Sequence, residues 1–107
     1  MSEKEKMING EMYDPGNITL CKERKLAKQA CYEYNHLPPY PKNKRNEIIK
    51  QLFGKTSDKY TIEPNFFCDY GYNIEIGNNF YSNHNLVILD CAKVTFGDNV
   101  FIRCFSK

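Results

Sequence analysis

Five cysteines (Cys21, Cys31, Cys68, Cys91 and Cys104) and two histidines (His36 and His84) are the side chains best suited to ligate a metal or act as nucleophiles. Their spacing argues against both roles. Structural zinc takes close ligand pairs; no Cys-x-x-Cys pair occurs and neither histidine lies near a cysteine pair, so no metal is expected. A catalytic histidine triad needs more than the two histidines present. An odd set of widely spaced cysteines, in a chain read as cytosolic, is expected to serve as small buried hydrophobes rather than a disulfide framework. No Ser-His-Asp arrangement and no glycine-rich phosphate loop is legible. His84 reads as an exposed or structural residue. His36, just ahead of a proline-rich connection, reads as a helix-end residue interacting with carbonyls. The Lys42-Asn43-Lys44-Arg45 cluster reads as the solvated start of a helix.

The elements that would position any site fall into two halves with different periods. Glu3 to Tyr13 carries Met7, Ile8 and Met12 at helical spacing and is stopped by the turn residues Asp14-Pro15-Gly16-Asn17. A second helix is predicted over Leu20 to Tyr34, with Leu26, Ala27, Ala30, Cys31 and Tyr34 on one stripe and Lys22, Arg24, Lys25 and Lys28 mostly facing water. Leu37-Pro38-Pro39-Tyr40-Pro41 cannot be helical and ends it. A third helix, Asn43 to Phe53, is expected to bury Ile48, Ile49, Leu52 and Phe53, with Gly54 as a left-handed stop.

After residue 60 the period becomes six. Ile62, Cys68, Ile74 and Phe80 are six apart; the phase slips by two, and Ile88, Val94 and Val100 continue. The phrases Ile76-Gly77-Asn78-Asn79-Phe80 and Phe96-Gly97-Asp98-Asn99-Val100 repeat at matching places. An aliphatic residue every six positions, with Gly and Asn or Asp at corners, marks a β-helix whose short strands point one apolar side chain inward. A meander of antiparallel strands is the competing pattern, and alternation such as Val94-Thr95-Phe96 fits it; seven positions locked to one step favour the coil.

Composition narrows the function classes. The 107 residues are 41% hydrophobic and 26% charged, which is ordinary globular material for about one small domain. Fifteen Lys and Arg against thirteen Asp and Glu leave a net charge of +2, too small and too evenly spread for nucleic acid or an acidic membrane. No stretch approaches the roughly 18 apolar residues of a membrane span, and the mixed-charge start is unlike a secretory leader, so the expected location is the cytoplasm. At this length a single core is only modestly stabilising, and packing against other subunits is expected.

Three phrases carry a family resemblance: Met7-Ile8-Asn9-Gly10-Glu11-Met12-Tyr13-Asp14; Leu20-Cys21-Lys22-Glu23-Arg24-Lys25-Leu26-Ala27 with Tyr34-Asn35; and Glu63-Pro64-Asn65-Phe66-Phe67-Cys68-Asp69-Tyr70-Gly71-Tyr72-Asn73-Ile74, continued by 76–83 and 88–90. Together they make the chain resemble the amino-terminal part of the maltose and galactoside O-acetyltransferases, a family of hexapeptide-repeat acyltransferases. The resemblance implies an α+β chain: a helical maltose-acetyltransferase-type cap over 1–59, then a truncated left-handed parallel β-helix over 60–107, assembled as a trimer. It implies transfer of acetyl from acetyl-coenzyme A to a sugar hydroxyl, with a histidine as general base and donors aimed at the developing oxyanion.

Residue by residue, the resemblance makes Asp14 an acceptor-binding aspartate of the cap, against its plain reading as a turn residue. It places Asp69 near the acceptor, where galactoside enzymes carry a serine, against a corner Asx-turn. Asn83, against its plain reading as a corner asparagine, would bind the acceptor and help position the reacting groups in the transition state, and Asp90, in the matching Leu-Asp segment, would also bind the acceptor. Galactoside enzymes have a second Asp where this chain has Cys91. The family's histidine-bearing loop and most of the coenzyme A site are expected after residue 107, where the Arg103-Cys104-Phe105-Ser106-Lys107 tail leaves the repeat. The chain is therefore expected to be inactive alone; the alternative is a non-catalytic interaction or oligomerisation module pairing with full-length paralogues.

Overall fold

The computed structural model describes residues 2–103. Three helices come first, α1 (Glu3–Ile8), α2 (Ile18–Asn35) and α3 (Lys42–Leu52). Seven short strands follow: β1 (Tyr60–Ile62), β2 (Phe66–Cys68), β3 (Ile74–Glu75), β4 (Phe80–Ser82), β5 (Leu86–Ile88), β6 (Val94–Thr95) and β7 (Phe101–Ile102). The expected departure of the tail from the repeat, and Cys104, lie outside the described residues apart from Arg103.

Each helix departs from its expectation for a definable reason. α1 opens with a capping box between Ser2 and Glu5. It closes at Ile8 rather than Tyr13, because Gly10 adopts φ 76° and the amides of Gly10 and Glu11 bond back to the Met7 and Lys6 carbonyls. Met12 is left exposed. α2 starts earlier, since the Asn17 side chain accepts from the amides of Thr19 and Leu20. Its buried face is Leu20, Ala27, Cys31 and Tyr34; Leu26 is 71% exposed, one residue around the helix from that face. In α3 the expected solvated cluster holds for Lys42 and Lys44 but not for Arg45, which is buried one turn ahead of Ile49. Gly54 is not left-handed; α3 ends on Phe53 in an extended conformation. A side chain at Gly54 is barred instead by the Tyr72 carbonyl oxygen, 2.2 Å from where a Cβ would sit.

The strands are parallel throughout and form three sheets, ordered β1-β4-β7, β2-β5 and β3-β6. The antiparallel meander is thereby excluded. Pairing runs Tyr60 with Phe80, Phe66 with Leu86, Ile74 with Val94 and Tyr81 with Phe101, a repeat of twenty residues per turn. The inward series is Ile62, Cys68, Ile76, Ser82, Ile88, Phe96 and Ile102, all buried or half-buried. Its steps are six except across 69–73 and 89–93, where they are eight. The single phase slip expected from sequence is thus two slips, one at the same corner of each turn.

Corner chemistry follows backbone demand. Asn79, Asn85 and Asn99 take φ of 59°, 67° and 60°, the left-handed region that asparagine tolerates. Gly77 and Gly97 do not. Gly77 instead admits the next turn, whose Asp98 side chain accepts from the Asn78 amide at 2.7 Å and would sit 2.5 Å from a Cβ on Gly77. Asn79 donates to Asn99 one turn above at 2.9 Å.

Asp90 holds the widened corner. Its carboxylate accepts from the amides of Asp69, Tyr70, Gly71 and Asn73 at 2.7 to 3.3 Å, and Asn73 returns a side-chain bond to the Asp90 carbonyl at 2.8 Å. Burial pushes the Asp90 carboxyl above the ordinary aspartate range, and the amides of Tyr70, Gly71 and Asn73 pull it back.

The helices cover the starting edge of the strand stack. Asn35 donates to the Phe66 carbonyl at 3.0 Å and accepts from the Phe66 amide at 2.8 Å, filling both backbone groups of the first residue of β2. The Tyr34 hydroxyl and Arg45 both donate to the Ile62 carbonyl of β1, Arg45 at 2.8 Å. Beside β3, Gly54 donates to the Ile74 carbonyl and Ile76 donates to the Lys55 carbonyl, both at 3.0 Å. The apolar core is correspondingly continuous, running from Ala27, Cys31, Tyr34, Ile49 and Phe53 into Ile62, Phe66, Ile74, Phe80 and Ile88. Phe53 meets Phe66 at 5.6 Å between ring centroids.

Two substitutions test this reading by urea unfolding. Asn35→Ala strands both backbone groups of Phe66 and is expected to cost about 1–3 kcal/mol. Asp90→Asn sets an amide NH2 among four N–H donors; the expected cost is about 2–4 kcal/mol, with hydrogen-exchange protection lost first across 69–73.

Candidate functional site

A cavity of about 630 Å³ opens between the carboxyl-terminal half of α2 and the outer face of the β2-β5 sheet. From α2 come Lys28, Tyr32, Asn35 and His36; from the strands and their corners come Asn65, Phe67, Asp69, Val87 and Leu89, with Cys31 and Cys68 at the base. α2 supplies a residue every three or four positions, the spacing of one helix face. The β2-β5 pair supplies outward-pointing residues, because side chains alternate along a strand. The cavity thus has an apolar and aromatic lining with one carboxylate and two amides on its rim, an arrangement suited to a small polyhydroxylated ligand.

Of the four residues singled out in the sequence, Asp69 and Asp90 are directly linked, and Asp14 is the chain neighbour of a residue that touches the same corner. Asp69 borders the cavity, and its amide is fixed by the buried Asp90 carboxylate at 3.1 Å. The Cys91 thiol donates to Asp69 Oδ2 at 3.6 Å, and the Tyr13 hydroxyl reaches Cys91 Sγ at 3.7 Å. That hydrogen bond to Cys91 raises the Tyr13 phenol, with burial acting the same way. Asp14 therefore neighbours this corner through Tyr13. Arg24 fastens the same turn by donating to the Pro15 carbonyl at 2.6 Å and to the Tyr70 hydroxyl at 2.7 Å. Asp14 itself is exposed, and its Oδ1 accepts from the Gly16 amide at 2.9 Å, the turn bond that its position before Pro15 suggests. Asp90 is fully buried with its oxygens on backbone amides, so it reaches the cavity through the loop it shapes.

Asn83 occupies a different corner, between β4 and β5. Its Oδ1 accepts from the His84 amide at 2.8 Å, and its own amide donates to the Ile102 carbonyl at 3.0 Å. His84 is exposed, bonds the Pro64 carbonyl through Nδ1, and sets Nε2 4.0 Å from Glu63. His36 sits at the end of α2 with Nδ1 2.8 Å from the Tyr32 carbonyl and its ring stacked on Tyr32 at 4.1 Å, as its helix-end position predicts. Because a carbonyl only accepts, Nδ1 carries the proton in both rings.

Sequence reasoning missed Tyr32, Asn35, Asn65 and Arg24. Tyr32 and Asn35 come to the cavity from α2 and Asn65 from the corner before β2, and only a helical wheel of α2 would have aligned Tyr32 with Asn35 and His36. Arg24 reads as one surface cation among four. Among the described residues no group of three His, Cys, Asp or Glu side chains is placed to hold a metal ion, and no helix is long and apolar enough to cross a membrane.

Comparison with known proteins matches this geometry. Residues 6–57 fit the maltose acetyltransferase hexapeptide capping motif. A Saccharomyces cerevisiae protein whose name carries the word acetyltransferase is 52% identical over 99 residues, which are 92% of this chain and 50% of the yeast protein. A similarly named Dictyostelium discoideum protein is 45% identical, over 95% of this chain and 53% of its own length. The crystal structure of a maltose O-acetyltransferase from Clostridium difficile superposes with a TM-score of 0.92 at 40% identity, covering 94% of this chain and 54% of that one. A galactoside acetyltransferase in complex with coenzyme A superposes at 0.88 with 38% identity, over 95% and 51%. The chain spans about half the length of the relatives it matches. Capping motif, parallel-strand architecture and structural neighbours agree: the chain belongs to the maltose and galactoside O-acetyltransferase family and corresponds to an amino-terminal part of its members.

Proposed function

We propose that this chain supplies acceptor-binding and capping parts of an acetyl-coenzyme-A-dependent sugar O-acetyltransferase of the maltose or galactoside type. The observation that carries the reading is the cavity beside Asp69, in a chain 40% identical to a maltose O-acetyltransferase. A sugar is recognised by carboxylates and amides bonding its hydroxyls and by aromatic rings covering its C–H faces. Asp69, Asn65 and Asn35 offer the first, Tyr32 and Phe67 the second. Asp14 and Asp69 are assigned to the acceptor, Asn83 to positioning the reacting groups, and Asp90 to shaping the corner that presents Asp69. The described part of 1–59 acts as the cap, and the described part of 60–107 as turns of a left-handed β-helix.

Acetyl-coenzyme A is the co-substrate of this reading. Related structures support it, since a Vibrio cholerae hexapeptide-repeat acetyltransferase is complexed with acetyl-coenzyme A and the galactoside enzyme with coenzyme A. Its phosphates call for several cations or clustered backbone amides. The cavity offers the single ammonium of Lys28 and does not fit them, so no residue described here is assigned to the coenzyme. His84 is absent from the cavity wall, and His36 is stacked on Tyr32. The general base is therefore assigned to a histidine outside this sequence, and the chain alone to no turnover.

The outward face of the β2-β5 sheet favours assembly with further copies, a trimer by family resemblance. Phe67, Val87 and Leu89, which line the cavity, are 48%, 56% and 69% exposed, an apolar patch of the kind that marks an interface. Light scattering at micromolar concentration is expected to give a multiple of the chain mass, and a clean monomer overturns the assembly.

The acceptor assignment is tested by titrating the protein with maltose and with a galactoside, followed by NMR. One of the two is expected to bind, and Asp69→Ala to weaken it about tenfold, as loss of a charge-assisted hydrogen bond requires. Absence of binding to both overturns the acceptor reading, and an unchanged affinity in Asp69→Ala overturns the role of Asp69. Mass spectrometry after incubation with acetyl-coenzyme A and either sugar is expected to show no acetylated product above a no-protein control; product formation overturns the assignment of the base.

A further inference from the structure

We propose that Cys31 and Cys68 form an oxidation site at the base of the cavity, closing to a disulfide that ties α2 to β2 when the protein meets a peroxide. The two sulfurs are 3.9 Å apart, although the residues are 37 positions apart in the chain. Both side chains are almost fully buried, at 1% and 6% exposure, yet both contribute to the cavity wall. A small polar oxidant entering the cavity meets them, and a larger reagent approaching from the surface does not.

The remaining cysteines among the described residues are placed differently. Cys21 contacts the Pro15 carbonyl and the Arg24 guanidinium, and Cys91 contacts Asp69 and Tyr13; neither contact is a thiol. A disulfide needs its sulfurs at about 2.05 Å. From 3.9 Å that is a movement of about 2 Å, within reach of side-chain rotation on a helix and a strand already packed together.

The chemistry balances. The thiolate of one cysteine attacks a peroxide oxygen, the O–O bond breaks, and hydroxide leaves to become water, giving a sulfenic acid. The second thiolate attacks that sulfur, the S–S bond forms, and a second water departs. Two thiols lose two electrons and two protons, and one hydrogen peroxide becomes two waters. The S–H···S contact lowers the Cys31 thiol and raises that of Cys68, which burial raises further. Either sulfur can donate in this contact, so either thiol can attack and the other resolve. Such a pair is compatible with a reducing compartment, where disulfides are transient and responsive rather than structural.

The test uses the unmodified chain, treated with stoichiometric hydrogen peroxide and then alkylated at its free thiols. Trypsin alone leaves Cys68 and Cys91 on one peptide, so a second cleavage before Asp69 and Asp90 is needed to separate them. Non-reducing mass spectrometry is expected to find the Cys31 and Cys68 peptides linked and lighter by two hydrogens, with Cys91 alkylated. The linked species is expected to disappear on reduction and in Cys31→Ser, and the oxidised chain to unfold at higher urea concentration. Recovery of Cys31 and Cys68 as alkylated thiols while Cys91 is oxidised overturns the proposal. So does linkage of Cys68 to any other cysteine or between chains. The mapping on the unmodified protein decides the matter even if the serine variant does not fold, and it is independent of acetyl transfer.

Discussion

A stack of parallel strands begins with an edge whose backbone N–H and C=O groups have no strand to pair with, and each such group left unpaired when buried costs about 1–3 kcal/mol. The helical segment meets that demand at all three sheets. Asn35 stands in for a strand against β2, Tyr34 and Arg45 converge on the last carbonyl of β1, and Gly54 with Lys55 runs beside β3. The buried arginine, the missing side chain at Gly54 and the amide at the end of α2 are parts of one arrangement. The cavity is its consequence, because a helix that bonds the strand edge through Asn35 carries Tyr32 and His36 past the outer face of β2.

The second constraint acts at the corner that is two residues too long. A turn of six, six and eight residues leaves the amides of 69–73 looping outward, and without an acceptor they would be unsatisfied in a closed space. The Asp90 carboxylate takes four of them at once. A charged group in this place is tolerated because the amide dipoles replace the water that burial removes. The corner thus built places Asp69 at the cavity rim, and through Cys91 and Tyr13 it meets the turn containing Asp14. Of the three aspartates only Asp69 borders the cavity; Asp90 is buried behind it, and Asp14 stays on its own turn.

Much of this was legible before any coordinates. Helical spacing located α2 and α3 to within a few residues, the six-residue step identified the strand region, and the family phrases pointed to the corners that matter. The misreadings are equally specific. Arg45 looked solvated because its neighbours Lys42 and Lys44 are, and nothing local announces that the Ile62 carbonyl waits 17 residues ahead. Leu26 looked buried because it is apolar and next to Ala27. The phase slip looked single because both Ile74 and Ile76 point inward, so either can be counted into the series.

What the sequence determined by itself is periodicity: where the chain is helical, where it turns every six residues, and that glycine with asparagine or aspartate marks corners. Those depend on interactions a few residues long. What only the tertiary structure decided is partnership, namely that Asn35 faces Phe66, that Asp90 serves residues 69–73, and that Cys31 lies against Cys68 at the base of a cavity. A polar side chain is satisfied by geometry in three dimensions, and composition or spacing along one dimension carries no record of which distant backbone group will arrive beside it.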